Sequence, residues 1–154
     1  MKLGGIEYES LVDGDGIRNV LFISGCRHHC RNCHNPKLQD FDYGVEFTVE
    51  KQQAFIERTA NNCLVDGITI SGGDPLYHGK ELGEFLKTFK GICPDKTVWC
   101  YTGFKWEELP EDTPLTHIDV LVDGKYQEDL KDCTSSFRGS TNQRILRLHG
   151  GKLI

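Results

Sequence analysis

The chain has 154 residues, 38% of them apolar and 27% charged, enough for one domain with a real core and too few for two. Its 23 acidic against 18 basic side chains leave a net charge of −5, which argues against nucleic acid or anionic lipid held by bulk electrostatics. No run approaches the roughly 18 apolar residues of a membrane span, and no apolar signal region follows Lys2, so a cytoplasmic protein is expected.

In a reducing compartment the seven cysteines are not expected to form a disulfide framework. Cys26, Cys30 and Cys33 crowd together and need a chemical explanation. Cys63, Cys93, Cys100 and Cys133 stand alone and read as small buried or half-buried side chains.

The apolar run Asn19–Ser24, bounded by Gly16 and Gly25, predicts a buried strand, with the cysteine loop after it. Thr48 can cap a helix running to about Asn62. Gly67–Ser71 reads as a second strand, stopped by Gly72 and Gly73. Leu82, Phe85, Leu86 and Phe89 recur at helical spacing, and Gly91 and Pro94 end that helix. A third strand is expected at Thr97–Tyr101, a weak helix at Trp106–Leu109 and a fourth strand at Ile118–Val122. Beyond it come turns and a short strand at Arg144–Leu148. Strands alternating with helices predict βαβ units and a mostly parallel sheet. A closed barrel takes about 250 residues, so the expected α/β fold is an open, partial barrel of four or five units. Active groups should then sit at the C-terminal ends of its strands.

Cys26, Cys30 and Cys33 have the spacing C-x3-C-x2-C. Thiolates ligate iron–sulfur clusters, and three of them leave one iron of a 4Fe–4S cluster without a protein ligand. Zinc is an alternative, with His28, His29 or His34 as a fourth donor, although paired C-x2-C units are absent. Unliganded thiols are a third. His28 and His29, on a polar loop, read as solvent-exposed or hydrogen-bonded.

This cysteine pattern directly after a first strand resembles the radical S-adenosylmethionine (SAM) superfamily. Cys33-His34-Asn35 resembles its glycyl-radical activating enzymes in particular, although Asn32 stands where many members carry an aromatic residue. In that superfamily the open iron is chelated by the amino and carboxylate groups of SAM. Gly72-Gly73-Asp74 resembles the segment that contacts the methionine amino group. As bare patterns, Gly72-Gly73-Asp74 and Asp123-Gly124-Lys125 are also ordinary turns. The resemblance implies SAM contacts from Asp123 and Lys125, and from Thr102 in Tyr101-Thr102-Gly103, a segment that equally reads as a plain strand-to-helix connection. Asp13–Arg18 resembles an N-terminal Asp-Gly-Pro-Gly-Ile-Arg, with Asp15 in place of proline and a looser turn expected. Phe137–Gln143 resembles the Trp-Arg-Gly-Ser-x-Asn-Gln segment of the branch that activates anaerobic ribonucleoside-triphosphate reductases. The likeness spans about residues 5–147, and residues 1–154 read as a single radical SAM domain.

The resemblance implies that the reduced 4Fe–4S cluster passes one electron to SAM. The resulting 5′-deoxyadenosyl radical removes a hydrogen from a glycine on the large catalytic subunit of the reductase. A reductant such as flavodoxin would supply the electron, and no dedicated catalytic acid or base is expected beyond the cluster ligands. Two other readings stay open: a radical SAM enzyme acting on a small molecule, as 7-carboxy-7-deazaguanine synthases do, and a non-catalytic zinc or iron–sulfur module. Trp99 and Trp106 read as packing groups.

Overall fold

The computed structural model describes residues 1–154. Its strands are β1 (Lys2–Ser10), β2 (Arg18–Ile23), β3 (Val45–Glu46), β4 (Gly67–Gly72), β5 (Thr97–Tyr101), β6 (Val120–Asp123), β7 (Arg144–His149) and β8 (Lys152–Leu153). Two α-helices, α1 (Val49–Ala60) and α2 (Gly79–Ile92), complete the regular structure with several 3₁₀ turns. The eight strands form one open sheet in the order β3-β1-β2-β4-β5-β6-β7-β8.

The centre of that sheet, β2-β4-β5-β6, is parallel. The four outer pairings, β1 with β2, β1 with β3, β6 with β7 and β7 with β8, are antiparallel. Four of seven pairings therefore run against the mostly parallel expectation. Short connections account for two of them: β1 joins β2 across residues 11–17 and β7 joins β8 across Gly150–Gly151, and neither is long enough for the crossover that parallel neighbours require.

Only two helices appear where four or five units were expected. Between β5 and β6 the chain makes the 3₁₀ turns Trp106–Glu108 and Leu115–His117 instead. Pro110 and Pro114 interrupt that stretch, and proline removes a helical donor and clashes with the preceding turn. The helices that do form follow local chemistry. Thr48 caps α1, its hydroxyl accepting from Lys51 N–H at 3.3 Å. In α2 the predicted stripe of Leu82, Phe85, Leu86 and Phe89 is buried. At about 1.5–3 kcal/mol per buried side chain, this packing outweighs helix propensity in holding α2 down. Gly91 remains inside α2, which closes at Cys93.

Alternation along the central strands divides the core. Leu21, Ile23, Ile68, Ile70, Val98, Cys100 and Leu121 join Phe55, Ile56 and the α2 stripe in one cluster. The other face carries Trp99, Val120 and Val122, with Tyr101, Phe137 and Ile145 packed against them. Arg18 is also wholly buried. It spends its guanidinium on Thr69 and Thr97 hydroxyls and on the carbonyls of Asp15, Ile68 and Thr97, stitching β2, β4 and β5 together. Trp99 and Cys100 are packing groups, as the sequence implies. Cys93 is buried too, but Cys63 and Cys133 are exposed, because both fall on turns outside the core.

Candidate functional site

Each central strand ends in a segment singled out above: β2 in the cysteine loop, β4 in Gly72-Gly73-Asp74, β5 in Thr102-Gly103 and β6 in Asp123-Gly124-Lys125. Parallel pairing brings these ends side by side. They surround a cavity of about 380 Å³, within the usual range of roughly 300–1,000 Å³ for small-molecule sites.

Cys26, Cys30 and Cys33 line this cavity together with Gly72, Gly73 and Thr102. All three thiols are free and half-buried. Gly72 has φ +115°, and a Cβ there would lie 2.4 Å from the main-chain N and O of Ile23, so only glycine fits. Gly73 N–H donates to Ile23 O at 2.8 Å, which seats the turn against the end of β2.

Asp74, Asp123 and Lys125 do not line the cavity. Asp74 is wholly buried and hydrogen-bonded by protein groups. Asp123 is 1% exposed; it accepts from Trp106 N–H at 2.7 Å and from Arg144 Nε at 3.0 Å. Arg144 reaches on to both carboxylate oxygens of Glu107. The Lys125 side chain is exposed, and its carbonyl accepts from Asn142 Nδ2 at 2.7 Å.

The Phe137–Gln143 segment acts on this last turn. Gln143 Oε1 accepts from Gly139 and Ser140 N–H, while its Nε2 donates to Gly124 O at 3.0 Å. The segment thereby braces itself and clamps residues 124–126 over the cysteine loop. The Tyr126 ring packs against His34 at a tilt of 46°, 4.5 Å between centroids. Gly139 leaves room for that tyrosine, whose ring carbons would meet a Cβ at 3.1 Å.

Asp13, His28, Tyr126 and Gln143 also line the cavity and were not among the expected contacts. Asp13 and Gln143 stand within the two terminal motifs, which was their available signal. His28 gave none beyond its place between two cysteines; of its expected roles, as a zinc donor, exposed or hydrogen-bonded, hydrogen bonding is the one the structure shows. His29 is exposed.

Burial pushes the Cys26 thiol up to about 11, opposed by a hydrogen bond from His28 N–H. Burial, and then Cys33, raises Cys30, opposed by Tyr126 N–H and the Lys125 charge. Ligation of a metal by these thiols would have to displace their protons. No three His, Cys, Asp or Glu side chains converge as donors for a single ion. A zinc site needs all its donors within about 2.3 Å of one point. A cluster binds each thiolate to a different iron, so three thiols spread around one cavity fit a cluster better than a single ion.

Comparison with known proteins agrees. A family model described as "4Fe-4S single cluster domain" matches residues 12–146. A protein of Pasteurella multocida named anaerobic ribonucleoside-triphosphate reductase-activating protein is 42% identical over 146 residues, covering 89% of this chain and 91% of its own length. Proteins of the same name from Haemophilus influenzae and Escherichia coli K12 are 40% and 38% identical, over 89% and 90% of this chain and 92% and 93% of theirs. With this identity along nearly its whole length, and three cysteines gathered at one cavity, the chain belongs to the family of anaerobic ribonucleoside-triphosphate reductase-activating proteins.

Proposed function

We propose that this chain generates a glycyl radical on the large catalytic subunit of an anaerobic ribonucleoside-triphosphate reductase, with residues 1–154 working as one radical SAM domain. The observation that carries the reading is the shared cavity: three half-buried thiols face the glycine turn of β4 and the end of β5. The parallel centre of the open sheet is in keeping with a partial (β/α) barrel. Cys26, Cys30 and Cys33 would hold a 4Fe–4S cluster, with SAM in the adjoining space. Together these groups supply one-electron cleavage of a sulfonium and a carbon radical able to take hydrogen from glycine.

The protein's part is binding, orientation and exclusion of competing reactions. Gly72 and Gly73 contribute by lacking side chains, which lets the β4 turn seat against the main chain of Ile23, Gly25 and Leu38 and form part of the cavity wall. Thr102, 5% exposed, borders the same space. Asp74 and Asp123 would act from behind, Asp74 by holding the cysteine loop and Asp123 by tying the last turn to Arg144. Lys125 would add a positive charge near Cys30. Hydrogen abstraction needs reacting atoms within about 3–3.5 Å, so a glycine-bearing loop of the reductase must enter the cavity. A reductant such as flavodoxin, in the cytoplasm, is the proposed electron donor. No helix is long and apolar enough to cross a membrane.

The test is an anaerobic electron paramagnetic resonance spectrum of the reconstituted chain with reductant, SAM and the large reductase subunit. A glycine-centred doublet that depends on every component is the expected result. SAM consumed without a doublet would refute the partner, and neither SAM cleavage nor a doublet would refute the activity.

A further inference from the structure

Four groups converge on the carboxylate of Asp74, which has no exposure at all. Oδ1 accepts from Leu76 N–H at 3.0 Å and Oδ2 from Gly103 N–H at 2.8 Å. The Thr102 hydroxyl lies 3.0 Å and 2.9 Å from the two oxygens. His28 Nε2 stands 2.6 Å from Oδ2. With main-chain N–H groups already donating to both oxygens, Asp74 is the acceptor and His28 Nε2 the donor. A buried carboxylate is costly unless bonded in this way, so its partners share one fixed geometry.

The His28 side chain is 6% exposed. Its ring lies 5.4 Å from Tyr77 and 4.6 Å from Phe104, edge-on to the latter. Gly103 leaves it space, since an added Cβ would come within 2.5 Å of the ring. A cysteine-loop residue is thus socketed into the ends of β4 and β5.

The main chain adds a second grip, because Asp74 N–H donates to Gly25 O at 2.9 Å. Gly25 and His28 bracket Cys26. Asp74 therefore holds the loop on both sides of the first cysteine, and His28 N–H points at the Cys26 sulfur, 3.5 Å away.

We infer that His28 and Asp74 form a brace that fixes Cys26 against the ends of β4 and β5 and so governs how firmly the chain retains its cluster. Both are positioning residues. The inference deepens the proposed function and rests on its cluster-binding part.

Cluster retention separates this role from a merely structural one. Wild type, His28→Ala, His28→Gln, Asp74→Asn and the His28→Ala/Asp74→Asn double variant are reconstituted anaerobically. Iron and sulfide are counted, and cluster loss to a chelator is timed. Thermal melting of the metal-free chains reports folding. Outer partners of metal ligands typically matter about 10–100-fold, so His28→Ala and Asp74→Asn should lose the cluster about that much faster. Glutamine can place an amide N–H near the Nε2 position, so His28→Gln should recover most of the retention. The double variant should be no worse than the poorer single one, as for two halves of one interaction.

Wild-type retention in folded His28→Ala overturns the brace, as does a His28→Gln chain as labile as His28→Ala. Should His28→Ala not fold, the comparison of folded His28→Gln with Asp74→Asn decides, and equal retention in the two overturns it. A wild-type chain that takes up no four-iron cluster overturns the functional reading along with the brace.

Discussion

Replacing Gly73 by alanine drives a methyl group into the main chain of the cysteine loop. The added Cβ would stand 2.4 Å from Leu38 O and 2.7 Å from Gly25 O, where roughly 3.2 Å is needed to avoid overlap. One side must therefore move by about 0.5–0.8 Å, and the neighbours are main-chain atoms with no rotamer to change. The same two carbonyls accept from Gly25 N–H at 2.7 Å and Asp74 N–H at 2.9 Å. Stretching two such bonds costs about 0.5–1.5 kcal/mol each, and overpacking costs about 1–3 kcal/mol. A combined destabilisation of about 2–6 kcal/mol corresponds to a Tm lowered by roughly 4–24 °C in a chain of this size. Function should suffer more, since a shift approaching 1 Å can cost about 100-fold in rate. Thermal melting of the metal-free chain measures the first effect, and SAM cleavage by the reconstituted chain at a temperature where it is folded measures the second. A Gly73→Ala variant that melts within a degree of wild type would show that the turn and the loop are not in the contact on which the site depends.

Two further outcomes follow from different parts of the chain. Gly91 lies exposed near the end of α2 with nothing within 4 Å of an added Cβ, so Gly91→Ala should raise stability by about 0.5–1 kcal/mol; a lowered Tm would contradict this. Hydrogen bonds from Arg144 hold the exposed Glu107 carboxyl at about 2, below its ordinary 4.5. A depressed carboxylate contributes stability that is complete above the unfolded value and lost as pH falls through the folded one. The stability difference between wild type and Glu107→Gln should therefore shrink from about pH 4.5 to about pH 2, read from denaturant melts across that range, and a difference independent of pH would dismiss the pairing.

The strands at the centre of the sheet were legible because each is a short apolar run closed by glycine. Thr97–Tyr101 matches its strand residue for residue, and the Leu82–Phe89 stripe lies where the 3.6-residue period put it. The C-x3-C-x2-C spacing was equally local, as were the glycines of the β4 turn. β1 was not legible. Its sequence, KLGGIEYES, neither alternates nor forms an apolar run, and it becomes a strand by pairing with β2 on one side and β3 on the other. The antiparallel edges were missed for the same reason, since strand direction depends on which neighbour a segment meets.

The site divides along the same line. Sequence by itself singled out the candidates: three thiols, a glycine turn, and the ends of strands that pair in parallel. Only the tertiary structure decided which of them face the cavity. Asp74 and Asp123 look like ligand contacts in a motif, yet both turn inward to protein donors. His28 looks like a loop histidine, yet it reaches 46 residues along the chain to Asp74. The physical reason is the cost of burial. A carboxylate withdrawn from water must find donors wherever the fold brings them, and Arg144, Thr102 and His28 become neighbours of those carboxylates only after β2, β4, β5, β6 and β7 have assembled.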